Sequence, residues 1–289
     1  MKIIDAHCHI QFPAYDKDRD DVIKRAKQAD VKMIVSGVDL VTSNAAVQLA
    51  EEHQGEVWAT VGFHPEDAAD FEPDGAENIF ELAKHERVMA IGECGLDYYR
   101  LNAKGVARPS GGLGLNAKES AGGPKPEEIK KTQKDVFLKQ AYIAKELNKP
   151  LIVHCRPSQG TEDAYQDILD LFDKGIGDEI PVIMHFFAGS LKMAKKMVDL
   201  GFYFTFGGVV TFSRDYDEII QFILIDRILA ETDSPYVAPA SRRGKRNEPF
   251  FILEIIQKLS EIKGVSTDKL LEALFNNSKR VFKTDFNCQ

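Results

Sequence analysis

The sequence predicts a single closed (β/α)8 barrel, an α/β fold running through residues 1–289 as one domain. Three observations carry that expectation. Eight short apolar runs alternate with segments of helical period. The runs are apolar on both faces, as strands covered by crossover helices must be. Their number and spacing suit a closed parallel barrel. An open doubly wound sheet is the alternative, but it would usually carry a glycine-rich phosphate turn after its first strand, where this chain has HCHIQFPAYD.

Taken in order, the strand candidates begin with IIDAHCHI (3–10), KMIVSGV (32–38), VWATVGF (57–63) and VMAIGECGLD (88–97). They continue with PLIVHCR (150–156), PVIMHFF (181–187), YFTFGGVV (203–210) and ILAETDSP (228–235). Their β-branched and aromatic content suits a pleated, buried surface. Between them lie amphipathic helix candidates such as DDVIKRAKQA, TSNAAVQLAEEH, ENIFELAKH, TQKDVFLKQAYIAKEL, AYQDILDLFD, LKMAKKMVDL and YDEIIQFI, with PFFILEIIQKLSEI after the eighth run. A last helix is expected at 266–276, followed by the tail NNSKRVF. One segment breaks the rhythm: residues 101–126 carry six Gly and three Pro, which reads as a loop insertion rising from the C-terminal face of the barrel.

Composition narrows the function. Hydrophobic residues at 44% and charged residues at 28% are those of a globular protein. A net charge of −8 disfavours a protein that coats duplex DNA by charge neutralisation. No apolar run approaches the roughly 18 residues of a membrane span, and the N-terminus MKIIDAHCHI lacks the pattern of a secretory signal. We expect a cytoplasmic protein with no membrane association and no obligate protein partner. Cys8, Cys94 and Cys155 sit inside apolar runs, which fits a reducing compartment better than a disulfide framework.

Polar residues then accumulate where buried strands should have none. His7 and His9, two apart on the first strand, share a face, with Ala6 and Cys8 turned the other way. Alone such a pair is more often satisfied by backbone carbonyls than by a cation. Strand 4 adds Glu93 between two glycines, strand 5 adds His154, strand 6 adds His185 and strand 8 adds Asp233. These six groups fall in the last residues of strands whose C-terminal ends meet at one mouth. Six imidazole and carboxylate ligands exceed one tetrahedral ion and suit two divalent ions roughly 3.5–4 Å apart. Without thiolates, Zn, Mn, Co or Fe fit, and Mg is possible. Metal-assisted hydrolysis is the expected chemistry. Cys8 and Cys155 follow histidines directly and so face away from them, as packing residues.

Further groups should line the mouth. His64 could bind substrate, donate to a phosphate oxygen or cap a turn. Arg156 ends strand 5. Arg242, Arg243, Lys245 and Arg246 concentrate four cations after the eighth strand, which suits a phosphate clamp. Tyr98, Tyr99 and Arg100 after strand 4 could stack bases of a single strand or an extruded end. His53 and His85 end predicted helices and read as structural.

DAHCHI, IGECGLDYYR, PLIVHCR, HFFAGS, ETDSPYVAP, RGKRNEP and NNSKRVF together resemble the TatD-like metal-dependent hydrolases of the amidohydrolase superfamily, in order along essentially the whole chain. The resemblance implies a (β/α)8 barrel and cleavage of phosphodiesters, typically DNA ends, by metal-activated water. It implies that His7, His9 and Asp233 hold one ion and His154 and His185 the other, with Glu93 bridging. Related enzymes often bridge with a carboxylated lysine, and strand 4 offers no lysine there. Asp233 and Glu93 would be catalytic, and His64, Tyr98, Arg156 and Arg243 would bind the substrate. The expectation is a deoxyribonuclease of 3′-5′ exonuclease type acting on single-stranded or frayed DNA. The alternatives are a small-molecule amidohydrolase or lactonase with the same metals, and a non-catalytic nucleic-acid-binding metal protein. Two departures stand out: Phe186 and Ala188 replace the Cys and Ser common in the family, and the 101–126 insertion stands where a short connection is usual.

Overall fold

Eight parallel strands pair in the order β1-β2-β3-β4-β5-β6-β7-β8, each with its successor in the chain. The computed structural model describes residues 2–99, 101, 124–173, 175 and 180–286. β1 (Ile3–Cys8), β2 (Val31–Ser36), β3 (Val57–Val61) and β4 (Val88–Asp97) are joined by α1 (Arg19–Gln28), α2 (Leu40–Glu52) and α3 (Gly75–Ala83). α4 (Pro126–Glu146) leads to β5 (Leu151–Arg156), and α5 (Asp163–Phe172) to β6 (Val182–Met184). α6 (Leu191–Asp199), β7 (Tyr203–Phe206), α7 (Asp217–Phe222) and β8 (Ile228–Ala230) complete the barrel, and α8 (Ile252–Lys263) and α9 (Thr267–Phe282) close the chain. Most of the expected insertion, residues 102–123, and Arg100 lie outside the described residues.

Two cores follow from the alternation of side chains along buried strands. Outward-facing residues such as Val31, Met33, Val153 and Phe204 join the helices in one large cluster. A smaller cluster fills the barrel interior with Ile4, Ala6, Ile34, Trp58, Ala90, Ile152, Ile183, Tyr203 and Leu229, so every strand contributes. Phe282 and Phe286 plug its N-terminal end, Phe286 meeting the Trp58 ring edge-on at 4.9 Å. The interior is therefore packed at the bottom, with Lys32 buried over Trp58 and bonded to Gly55 O, and the imidazole and carboxylate groups gather at the top.

That top is reached through two strand irregularities. The β1–β2 register slips between Asp5 and Cys8, and the β4–β5 register between Ile91 and Cys94. An extra residue re-aims the side chains that follow it. Ala6 consequently points into the barrel and Cys8 out toward the helices, so these two residues do not share a face as strict alternation required. His7 and His9 do both turn inward. On β4, Ala90 and Glu93 face inward while Cys94 packs outside, and Gly92 and Gly95 make room with φ of 150° and 141°. A Cβ on Gly95 would lie 2.0 Å from the His154 carbonyl oxygen, which no other residue could tolerate.

β8 and β1 meet at a seam closed at the mouth. Asp233 N donates to His7 O at 2.9 Å and His9 N to Ser234 O at 2.7 Å. Below them the buried Asp5 carboxylate accepts from Thr232 N and Thr232 Oγ1. α4 braces the other side with two buried glutamines two turns apart. Gln133 pairs with both the N–H and the carbonyl of Asp97, and Gln140 does the same for Phe63. Each thus fixes the mouth end of a strand.

Three strands are shorter than their apolar runs by four residues or more. β6 stops at Met184, β7 at Phe206 and β8 at Ala230, because the chain turns out of the sheet to form the mouth. Phe186 and Asp233 sit there in left-handed conformation with φ of 45° and 52°. α4 starts at Pro126 with Glu127 and Glu128 in its first turn, six residues before the expected segment. α9 is one continuous helix from the Ser266 cap to Phe282, so the NNSKRVF segment is helical rather than a tail. Within it Asn277 is buried and donates to Ile225 O and Ile228 O, tying α9 to the start of β8. No helix among the described residues is long and apolar enough to cross a membrane.

Candidate metal centre

Glu93 stands at the centre of the mouth, and its two carboxylate oxygens face different partners. Oε2 lies 3.2 Å from His7 Nε2 and 3.6 Å from His9 Nε2. Oε1 lies 2.9 Å from His154 Nδ1 and 3.6 Å from both His185 Nε2 and His64 Nε2. Asp233 Oδ1 completes the first side, 3.5 Å from His9 Nε2 and 3.8 Å from His7 Nε2. The six residues singled out as ligands, together with His64, therefore occupy one space, although they span more than two hundred positions.

Hydrogen bonds behind the rings decide which nitrogen faces inward. His9 Nδ1 is 2.8 Å from Ser36 O, a carbonyl that can only accept, so its proton is on Nδ1 and Nε2 presents a lone pair. His7 Nδ1 is 3.1 Å from Ser36 Oγ. His185 Nδ1 bonds Glu231 Oε2 at 2.8 Å, leaving Nε2 directed at Glu93. His7 Nε2 and His9 Nε2 are 3.0 Å apart. Two ring nitrogens this close need a proton or a cation between them. His7 also stacks on His185 with ring centroids 3.7 Å apart.

The electrostatics point the same way. Four carboxylates, Glu93, Asp97, Glu231 and Asp233, converge, and among the described residues no Lys or Arg forms an ion pair with any of them. Burial opposes the charge on Glu93, but His185 and His7 outweigh it and hold the carboxyl well below its ordinary range. Burial is likewise overcome at Asp233, by the adjacent His9 ring and the His185 charge, which lower its carboxyl. The imidazoles supply the missing positive charge. Burial lowers His154, yet its bonds to Asp97 and Glu93 raise it to about 10. His185 is raised to about 9 because the Glu231 and Glu93 charges exceed the effect of burial. His7 goes down, through burial and the His185 charge. Carboxylate and imidazole groups within reach of one another, and the Glu231 Oε1 atom, fully buried with no partner, suit a divalent cation site.

His64 differs from the other rings. Its Nδ1 accepts from Glu66 N at 3.2 Å, and burial together with the His154 charge lowers it to about 3. The neutral ring therefore carries its proton on Nε2, which faces Glu93 as a donor. That suits a contact to a substrate oxygen better than a metal bond.

Sequence reasoning singled out neither Asp97 nor Glu231. Asp97 Oδ2 holds His154 Nε2 at 3.0 Å and is itself anchored by Gln133. The signal was present, since a carboxylate ends the apolar run of strand 4. Glu231, fully buried, orients His185 in the way a carboxylate behind a metal-ligating histidine does.

Two expectations are corrected. Tyr98 does not line the mouth: it is fully buried between α4 and α5, donates its hydroxyl to Asp167 Oδ2 at 2.8 Å, and lies beneath Lys130. Parity explains the error, because Asp97 faces in and the next residue must face out, whereas Tyr99 remains exposed at the rim. Arg246 is not part of a clamp either. It pairs with Asp18 at 2.6 Å and Glu248 at 3.1 Å and lies over Tyr15. Arg242, Arg243 and Lys245 stay exposed, and Arg156 is exposed beyond His154. Cys8, Cys94 and Cys155 are buried and unpaired, and burial raises all three thiols.

The cationic loop is held by Asn247, which is fully buried. Its Nδ2 donates to Thr232 O and Tyr236 O, and its Oδ1 accepts from Glu248 N. Replacing it with alanine strands three backbone groups without partners. Asn247→Ala should cost about 2–4 kcal/mol, read as a lower urea midpoint with an unchanged slope.

Comparison with known proteins gives concordant results. The family model described as TatD related DNase matches residues 4–283. The uncharacterized metal-dependent hydrolase YabD of Bacillus subtilis is 34% identical over 284 residues, covering 97% of this chain and 99% of that protein. The 3'-5' ssDNA/RNA exonuclease TatD of Salmonella typhimurium is 31% identical over 293 residues, covering 98% of this chain and all of that one, 100%. Among solved structures, the TatD homolog YJJV of Escherichia coli superposes with a TM-score of 0.79 at 25% identity, covering 98% of each chain.

Proposed function

The chain belongs to the TatD related DNase family, a family of metal-dependent hydrolases, and from that premise we propose that it hydrolyses phosphodiester bonds at the ends of single-stranded or frayed DNA, as a cytoplasmic 3′-5′ exonuclease built on one barrel domain. The observation that carries this reading is the division of Glu93. One oxygen faces His7, His9 and the nearby Asp233, and the other faces His154 and His185. That division would suit a carboxylate shared between two cations. His7, His9 and Asp233 would hold one ion, and His154 and His185 the other, with Glu93 between them. When bound, such ions supply an acidified water and neutralise charge growing on the phosphoryl oxygens.

The chain's own groups do the rest. Asp233, ionised throughout the neutral range, accepts the proton of the attacking water. His64 donates its Nε2 proton to a non-bridging phosphate oxygen. Arg243 and Arg156 approach from the rim as fixed cations for neighbouring phosphates. Glu231 and Asp97 hold His185 and His154 in position through hydrogen bonds of 2.8 and 3.0 Å.

The test is an assay on end-labelled single- and double-stranded oligonucleotides with Mg, Mn or Zn added. We expect ladders that shorten from the 3′ end, faster on single strands, and abolished by chelation and in His154→Ala. Turnover of esters or lactones without cleavage of oligonucleotides would overturn the reading, as would oligonucleotide retention without cleavage.

A further inference from the structure

Large apolar side chains are left exposed in loops that follow the C-terminal ends of strands. These are Tyr99 after β4, at 41% exposure, and Phe212 after β7, at 40%, with Tyr236 and Val237 after β8. Two of the rings carry an arginine on one face. The Arg156 guanidinium lies 4.0 Å from the Tyr99 centroid, and that of Arg243 lies 3.8 Å from the Phe212 centroid. Among the described residues neither guanidinium forms an ion pair. The contrast with Arg246 is instructive, because that cation over Tyr15 is satisfied by Asp18 and Glu248. Among the described residues Arg156 and Arg243 thus have no acidic partner, at the mouth of a protein whose net charge is −8.

Both stacks are fixed to the metal-centre scaffold. Arg156 is register-paired with Asp97, and Tyr99 N donates to Asp97 Oδ1 at 3.0 Å. Asp97 in turn holds His154. On the other arc, Thr211 Oγ1 accepts from Ala240 N at 2.8 Å, joining the loop of Phe212 to that of Arg243. Gly208 lies so close to Val237 O that a Cβ would come within 2.1 Å. The two stacks stand on separate arcs of one rim, with β6 between them.

We propose that these stacks are two base-binding shelves for a single-stranded oligonucleotide, seating nucleotides whose linking phosphate reaches the metal centre. An aromatic ring backed by a guanidinium offers a flat face to any base, while the guanidinium edge donates to a phosphate oxygen. A small anion would use the arginines and leave the rings idle, and a duplex hides the faces of its bases. The proposal rests on the phosphodiesterase reading and specifies which part of the substrate is held, and where.

The test measures binding without chemistry, as anisotropy of a labelled eight-residue oligothymidylate in EDTA, beside an abasic strand of equal length. Tyr99→Ala and Phe212→Ala should each weaken oligothymidylate binding about 5- to 150-fold and shrink its advantage over the abasic strand. Phe212→Trp should retain binding. Phe222→Ala, at the far end of α7 under Lys195, should bind like the parent protein. Equal affinity of the parent protein for both strands would overturn the shelves, as would undiminished binding by the two alanine variants. Hydrolysis of bis(p-nitrophenyl) phosphate, which carries no nucleobase, by the Mn-loaded parent protein separates the two claims. Its absence alongside base-dependent binding would defeat the phosphodiesterase reading and leave the shelves standing. Its presence without base dependence would do the reverse.

Discussion

Substitution of Asp233 by asparagine should lower turnover by about 10³-fold or more and leave the barrel as stable as before. The carboxylate lies within 4 Å of His7 and His9, and the proposed chemistry asks it both to ligate a cation and to accept a proton. Asparagine keeps the shape, cannot accept the proton, and leaves only a weaker, uncharged ligand. It also keeps the backbone, because Asp233 adopts φ of 52°, a conformation that asparagine tolerates well and alanine does not. Asp233→Ala should lose the same activity and additionally about 1 kcal/mol of stability. The seam itself does not depend on this side chain: Asp233 contributes its N–H to His7 O, and the side-chain bonds there are those of Asp5, Thr232 and Ser234. Steady-state kinetics with saturating metal, beside thermal melts of both variants, checks this. Turnover of Asp233→Asn within tenfold of the parent protein would remove Asp233 from the mechanism.

The comparison of sequence with structure separates what local pattern encodes from what packing decides. The barrel was legible because buried parallel strands must be apolar on both faces, and eight such runs leave few architectures. The six positions that converge at the mouth were legible for the same reason, since a charge at the end of an apolar run is conspicuous. What failed was parity. Counting by twos from His7 puts Ala6 with Cys8, but the slip between Asp5 and Cys8 sends Ala6 inward and Cys8 outward. Counting by twos from Asp97 would have moved attention from Tyr98 to Tyr99. Arg246 could not be told from Arg243 by sequence, because the difference lies in Asp18, brought beside it from 228 positions away. Asp97 and Glu231 were in view as residues, but their work behind His154 and His185 is visible only once the rings have a direction.

Binding of divalent metal at neutral pH should release about two protons per protein and tighten steeply as pH rises toward 9. The sign follows from His154 and His185. Their carboxylate partners raise them to about 10 and about 9, so in the metal-free protein both rings are protonated at pH 7. A ligating imidazole must be neutral, so each must give up its proton to the incoming ion. Metal-free and metal-loaded protein should then respond to pH in opposite directions. A histidine whose folded value lies above its ordinary 6.5 contributes stability in full below pH 6.5 and loses it as pH rises through 9 and 10. Metal-free protein should accordingly melt lower at pH 9 than at pH 6.5. Metal-loaded protein gains on the same path, because tighter binding adds stability by mass action. The gap between their melting temperatures should widen with pH, and titration calorimetry in buffers of different ionisation enthalpy should count the protons. Binding with no proton release, or a gap that stays constant from pH 6.5 to 9, would mean that His154 and His185 do not ligate the metal.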